Sequence, residues 1–173
     1  AVIGKPLALD GTAFALRLHK DTPWTLCQFI DNKMFDSLTA GLFSFFVDAQ
    51  ASMLLVGSRG SGKTSFLQAL MQEIPQNLRI LVQEDTQEVP VPALKKLGLN
   101  IQRMKTRPPL GGVSESEVSA EDALRTALRL GDSVLIVGEV RSGEARALYE
   151  AMRVGAVGNV VMGTIHGESA YSI

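Results

Sequence analysis

Eight consecutive residues, Gly57-Ser58-Arg59-Gly60-Ser61-Gly62-Lys63-Thr64, have the types and spacing of an anion cradle. The pattern is G-x-x-x-x-G-K-T, with the apolar run Met53-Leu54-Leu55-Val56 before it and a helical pattern after it, stopped by Pro75. Glycines let backbone N–H groups turn inward around phosphates. A helix starting near Gly62 aims its positive end at the same anion. Lys63 has the reach for the β- and γ-phosphates, the Thr64 hydroxyl is a magnesium ligand, and Ser65 completes the nucleotide-side set. The strand before and the helix after separate this motif from a chance glycine-rich turn. The expected ligands are ATP and Mg2+.

Phosphoryl transfer also needs a carboxylate to hold the metal, directly or through water, and one to orient the attacking water. Two acidic groups follow apolar strand patterns: Glu84-Asp85, with Glu88 nearby, and Glu139. An Asp usually ends the second of these strands, but Gly138 stands there and Glu139 follows, so one carboxylate can serve both roles. Glu139 and Glu84 are the candidate catalytic carboxylates, and Thr64, Glu139 and Asp85 the candidate metal ligands. Arg141 is a candidate either for a phosphate contact or for a structural salt bridge. His166, in Gly163-Thr164-Ile165-His166-Gly167, lies at another strand end, where spacing alone leaves a structural role open.

The elements that must position these groups alternate. Strands are expected at Met53 to Val56, Arg79 to Val82, Ile101 to Met104, Val134 to Val137 and Val160 to Met162. Helices are expected at Ser37 to Gln50, Lys63 to Glu73, from a Ser119 cap to about Leu130 before Gly131, and at Gly143 to Val154 after a Ser142 cap. Leu38, Leu42, Phe45, Phe46 and Ala49 make the first of these helices amphipathic. Short apolar strands separated by helices predict an α/β fold, a mainly parallel sheet with helices on both faces. Ahead of it, Phe14, Leu16 and Leu18 alternate with Ala15, Arg17 and His19 as a half-exposed strand, and Lys105 to Ser116 reads as a loop.

The 173 residues are about one domain, 46% apolar and 20% charged, which is globular composition. A net charge of -1 with no basic tract gives no draw toward nucleic acid. The single Cys27 excludes an internal disulfide and is expected in the core. The most apolar stretch, Leu38 to Val56, is broken by Asp48, Gln50 and Ser52 and is no membrane span.

Taken together, these blocks resemble the secretion ATPase superfamily, which powers type II and type IV secretion, type IV pili and the archaeal flagellum-like filament. Gly57 to Thr64 is similar to its Walker A motif, and Glu84-Asp85-Thr86-Gln87-Glu88 to its aspartate box. Leu135-Ile136-Val137-Gly138-Glu139-Val140-Arg141 is similar to its atypical Walker B, and Gly163-Thr164-Ile165-His166 to its histidine box. Thr25-Leu26 fits the family's approach to the nucleotide domain, and the Glu139-Val140-Arg141 wording is closest to archaeal members. The resemblance implies a RecA-like P-loop NTPase core with His166 on the γ-phosphate side. It also implies a homo-hexameric motor and a polytopic membrane platform protein as partner, at the cytoplasmic face of the membrane, with no nucleic acid. Residues 1–35 would be the tail of an N-terminal domain plus linker, from which Arg17 faces the nucleotide, and residues 36–173 the ATPase domain. The chain starts without Met and stops soon after the histidine box, where family chains continue, so it is expected to be a piece of a longer protein. The alternative is a RecA-like nucleic-acid-translocating ATPase.

Overall fold

The computed structural model of the chain describes residues 2–16, 21–106, 120–140, 145–146, 148–149, 152 and 160–169. Five strands form a parallel sheet: β3 (Met53–Gly57), β4 (Arg79–Glu84), β5 (Asn100–Lys105), β6 (Val134–Val140) and β7 (Val160–His166), in the order β3-β7-β6-β4-β5. All five therefore end on the same edge, where open parallel sheets bind ligands. The expected strands are in place, but β4, β6 and β7 run further than their apolar patterns, through Glu84, Glu139 and His166.

Side chains alternate between two apolar layers. Ile80, Val82, Val134, Ile136, Val160 and Met162 face α1 (Leu26–Asp31), α2 (Ser37–Asp48), α3 (Lys63–Glu73) and α4 (Val91–Lys96). Leu81, Leu135, Val137 and Val161 face Ala127 of α5 (Ala120–Leu128) and Leu148. Helices thus cover both faces of the sheet. Leu67, Leu70 and Met71 make α3 the most deeply buried helix. At its first turn Phe66 packs on Phe29, Phe35 and Phe43, with centroids 5.4, 5.7 and 4.8 Å away. Such aromatic contacts are favourable beyond the area they bury. They fix the end of α3 that carries Lys63.

Several expectations change. The apolar stripe of α2 does not face the core: Leu38, Leu42 and Phe45 are exposed, while Ala40, Phe43 and Val47 pack inward. Its end comes at Asp48, and Gln50 adopts a left-handed φ of 55°. Cys27 is exposed, because α1 turns its neighbours Leu26 and Phe29 inward instead. The early strand is only β2 (Ala13–Phe14), paired antiparallel with β1 (Val2–Ile3); Ala15 and Leu16 fall outside it. Arg17, Leu18, His19, Ser119, Ser142 and most of Lys105 to Ser116 lie outside the described residues, while Ala145–Arg146, Leu148–Tyr149 and Met152 are helical as expected. Two helices went unanticipated. α1 carries a capping box between Thr25 and Gln28, which is a sequence signature, and α4 holds a proline in its first turn. No helix among the described residues is long and apolar enough to cross a membrane.

Asp36 caps α2, its Oδ1 accepting the Thr39 N–H at 2.8 Å. Hydrogen bonding to Thr39 holds its carboxyl below the ordinary value. A depressed folded-state value means stability present above the unfolded value and lost as pH falls through the folded one. Asp36→Ala should therefore lower the melting midpoint at pH 7, Asp36→Asn should restore most of it, and the Asp36→Ala deficit should shrink in acid. A deficit that does not shrink would show that the cap acts without its charge.

Candidate functional site

The loop between β3 and α3 has the backbone its glycines were expected to provide. Gly60 and Gly62 have φ of 80° and 88°, in the left-handed region that side chains avoid. A Cβ on Gly57 would come within 2.6 Å of Ser61 Oγ. Gly62 is the N-cap of α3 and has no side-chain cap, which leaves the first N–H groups of an 11-residue helix for an anion.

Lys63 folds back over this loop. Its Nζ donates to Gly57 O at 2.8 Å and to Ser58 O at 2.7 Å, and stands 3.5 Å from His166 Nδ1. On the other side of the ring, His166 Nε2 lies 2.9 Å from Glu139 Oε1. The tautomer with its proton on Nε2 satisfies both contacts, donating to the carboxylate and turning a lone pair to the ammonium. Glu139 and His166 are partly exposed, at 32% and 53%. Thr64 Oγ1 donates to Glu88 Oε2 at 3.2 Å.

These groups line one cleft of about 680 Å³ at the carboxyl edge of the sheet. It gathers the expected Arg59, Gly60, Gly62, Lys63, Thr64, Ser65, Glu84, Asp85, Glu139 and His166. Gly57, Ser58 and Ser61 complete the loop behind them. Glu88 and Thr164 also line the cleft although neither was assigned a role; Glu88 stands within the acidic box, where its type was a visible signal. Arg17 and Arg141 lie outside the described residues.

Glu84 differs from the other acids. It is buried, and its Oε1 accepts the N–H groups of Glu88 and Val89 at 3.1 and 3.0 Å. Burial pushes its carboxyl above the ordinary value, against the opposing pull of those two hydrogen bonds.

Acids outnumber bases here, with Glu84, Asp85, Glu88 and Glu139 facing Arg59 and Lys63. A divalent cation carried by a polyphosphate would offset these carboxylates. Among the described residues no three His, Cys, Asp or Glu side chains form a metal cage.

β6 bulges beside the cleft. Val137 pairs with Gly163 but Val140 pairs with Ile165, so Gly138 and Glu139 together oppose Thr164. The Thr164 hydroxyl donates to Gly138 O at 2.6 Å across this break.

The chain belongs to the type II/IV secretion system protein family, whose family model matches residues 3–173. It is 32% identical over 154 residues to an uncharacterized protein of Methanocaldococcus jannaschii, covering 86% of this chain and 21% of that one. It is 30% identical over 166 residues to a putative conjugal transfer protein of Mycobacterium tuberculosis, covering 95% and 44%. The fold matches the VirB11 ATPase of the Brucella suis type IV secretion system, solved with sulphate, at a TM-score of 0.64 and 24% identity over 88% of this chain and 41% of that one. The chain thus spans less than half the length of these relatives.

Thr164→Val keeps the shape but leaves the Gly138 carbonyl without its donor. It should cost about 1–3 kcal/mol in a denaturant titration. An unchanged midpoint would mean that the bulge does not depend on this hydroxyl.

Proposed function

We propose that this chain is the nucleotide-binding core of an ATP-hydrolysing motor subunit that powers protein secretion or pilus assembly. The observation that carries the reading is the chain of contacts Lys63–His166–Glu139 at the mouth of the phosphate loop. It joins the cation expected on the phosphates, at the start of α3, to a histidine and a carboxylate from the ends of β7 and β6.

In this reading Lys63 exchanges the Gly57 and Ser58 carbonyls for the β- and γ-phosphates of ATP, while the loop N–H groups and the start of α3 hold the same oxygens. Thr64, Glu139 and Asp85 would hold Mg2+, the carboxylates directly or through water. The metal supplies neutralisation of the charge that builds on the leaving phosphate oxygens. Glu139 orients a water for attack on the γ-phosphorus. A P–O bond forms as the bond to the β–γ bridging oxygen breaks, and the proton that the water loses passes to the carboxylate. His166 holds Glu139 through Nε2 and turns its Nδ1 lone pair to the Lys63 ammonium on the γ-phosphate side. Glu84, the second candidate, has one carboxylate oxygen committed to backbone N–H groups, so Glu139 is the stronger assignment. Arg17 and Arg141 complete the proposed nucleotide contacts.

The family supports the finer proposals. The whole protein is a homo-hexamer working with a polytopic membrane platform protein at the cytoplasmic face of the membrane. Residues 1–35 are the tail of an N-terminal domain plus linker, with α1 as the part of that linker that packs on the ATPase core.

Two substitutions in the full-length protein test the site. Lys63→Ala should nearly abolish MgATP binding and turnover, and wild-type affinity would overturn the phosphate-loop assignment. Glu139→Gln should still bind MgATP but hydrolyse it about 10²- to 10⁴-fold more slowly, the usual contribution of a positioned proton acceptor. Normal turnover would place the catalytic carboxylate elsewhere.

A further inference from the structure

Glu84 lines the nucleotide cleft, yet one of its carboxylate oxygens is engaged by the backbone. Its Oε1 accepts the backbone N–H groups of Glu88 and Val89, four and five residues ahead. It therefore ties the turn after β4 back onto the strand end. That turn carries Glu88, whose Oε2 accepts from the Thr64 hydroxyl at 3.2 Å. A second tether reaches the same residue from α3, where Gln68 Nε2 donates to Glu88 O at 3.2 Å.

The space that Glu84 fills is provided by β6. A Cβ built on Gly138 would come 2.9 Å from Glu84 Cγ and 3.5 Å from its Oε1. The nearer distance is below any real contact, and the atom concerned is a buried methylene held by two hydrogen bonds beyond it. A side chain at 138 and the present conformation of Glu84 exclude each other. The glycine where a strand-end Asp is usual and the glutamate one strand over are thus complementary in volume.

We propose that Glu84 is a positioning residue, holding the turn that sets Glu88 against Thr64, and that Gly138 is the gap that admits it. The proposal rests on the ATPase reading, since Thr64 matters only if the loop binds a metal–nucleotide complex. The role uses Glu84 as a hydrogen-bond acceptor, and a glutamine carbonyl oxygen can take the same two N–H groups. A carboxylate acting on water or metal loses its function on conversion to Gln as surely as to Ala. Without any acceptor, the buried Val89 N–H and the half-buried Glu88 N–H are left unmet and the turn moves to find others.

The test is ATP turnover and ADP affinity in the full-length protein for Glu84→Gln, Glu84→Ala, Gly138→Ala and the double Glu84→Ala/Gly138→Ala, with Lys63→Ala alongside. Glu84→Gln should keep kcat within about threefold of wild type, since the amide oxygen can accept both N–H groups and only the charge facing Arg103 is lost. Glu84→Ala should lose kcat by about 10- to 100-fold, the usual effect of removing a group that orients a ligating side chain. Its ADP affinity should hold, because the loop N–H groups and Lys63, which grip the phosphates, are untouched. Gly138→Ala should show the same loss by displacing Glu84, and the double variant should be no worse than the worse single one. Hydrogen exchange at the Glu88 and Val89 amides should quicken in Glu84→Ala and Gly138→Ala but not in Glu84→Gln. If Glu84→Ala does not fold, Glu84→Gln and Gly138→Ala decide alone. A Glu84→Gln enzyme as slow as Glu84→Ala, or slowed tenfold or more where Glu84→Ala cannot be measured, overturns the positioning role. So does a Gly138→Ala enzyme with wild-type kcat. Turnover that survives in Lys63→Ala overturns the phosphate-loop assignment, and a wild-type protein that turns over no ATP overturns the ATPase reading instead.

Discussion

The parallel register of β3 with β7 sets Gly57 beside His166, and the contacts in the cleft follow from it. β7 lies between β3, which leads into the phosphate loop, and β6, which carries Glu139. Neighbouring strands are about 4.8 Å apart, so β3 and β6 stand about 10 Å from one another. The imidazole of the middle strand reaches both the Lys63 ammonium, at the start of α3, and the carboxylate of β6. A slip of one residue would turn every side chain of β7 to the opposite face. The alternating packing of Val160, Val161 and Met162 into two separate apolar layers resists such a slip. Core packing thereby fixes the chemistry at the strand's end.

Charge within the cleft is divided by exposure. Glu139 and His166 remain partly open to solvent, where they can meet a ligand. Glu84 is buried and engaged with backbone N–H groups. Lys63 rests on two carbonyl oxygens of its own loop, weak dipolar partners for a full charge. A phosphate offers that ammonium a stronger, charge-assisted partner and can draw it off without breaking any element of the fold.

Much of this was legible because it is local. The phosphate loop declares itself through glycine spacing between a strand and a helix, and Gly60 and Gly62 have the left-handed φ that the pattern requires. The acidic box, Glu139 and His166 were readable as strand-end residues, and a parallel sheet brings strand ends together. What escaped depends on partners distant in sequence. α2 has apolar residues on more than one face, and only the aromatic packing around Phe66 selects Ala40, Phe43 and Val47 over Leu38, Leu42 and Phe45. Cys27 was assigned to the core by residue type, whereas α1 buries Leu26 and Phe29 instead. The volume shared by Gly138 and Glu84 joins residues on two strands, and no spacing along one segment reveals it.

The bulge in β6 shows how a regular sheet accommodates an irregular site. Simple alternation from Val134 would put residue 140 on the same face as Ile136. The extra residue between Val137 and Val140 reverses that parity, and Val140 instead joins Leu135 and Val137 in the second apolar layer. The strand therefore keeps its apolar anchor beyond the site, while Glu139 lines the cleft. Bulges are rare between parallel strands, because each breaks an evenly spaced ladder. This one has a replacement bond, from the Thr164 hydroxyl to Gly138 O, supplied by the single residue that faces the two on β6. A side chain on the histidine-bearing strand thus stabilises the backbone distortion that accompanies Glu139 at the cleft, and the carboxylate and its histidine partner are coupled through the main chain as well as through their own 2.9 Å contact.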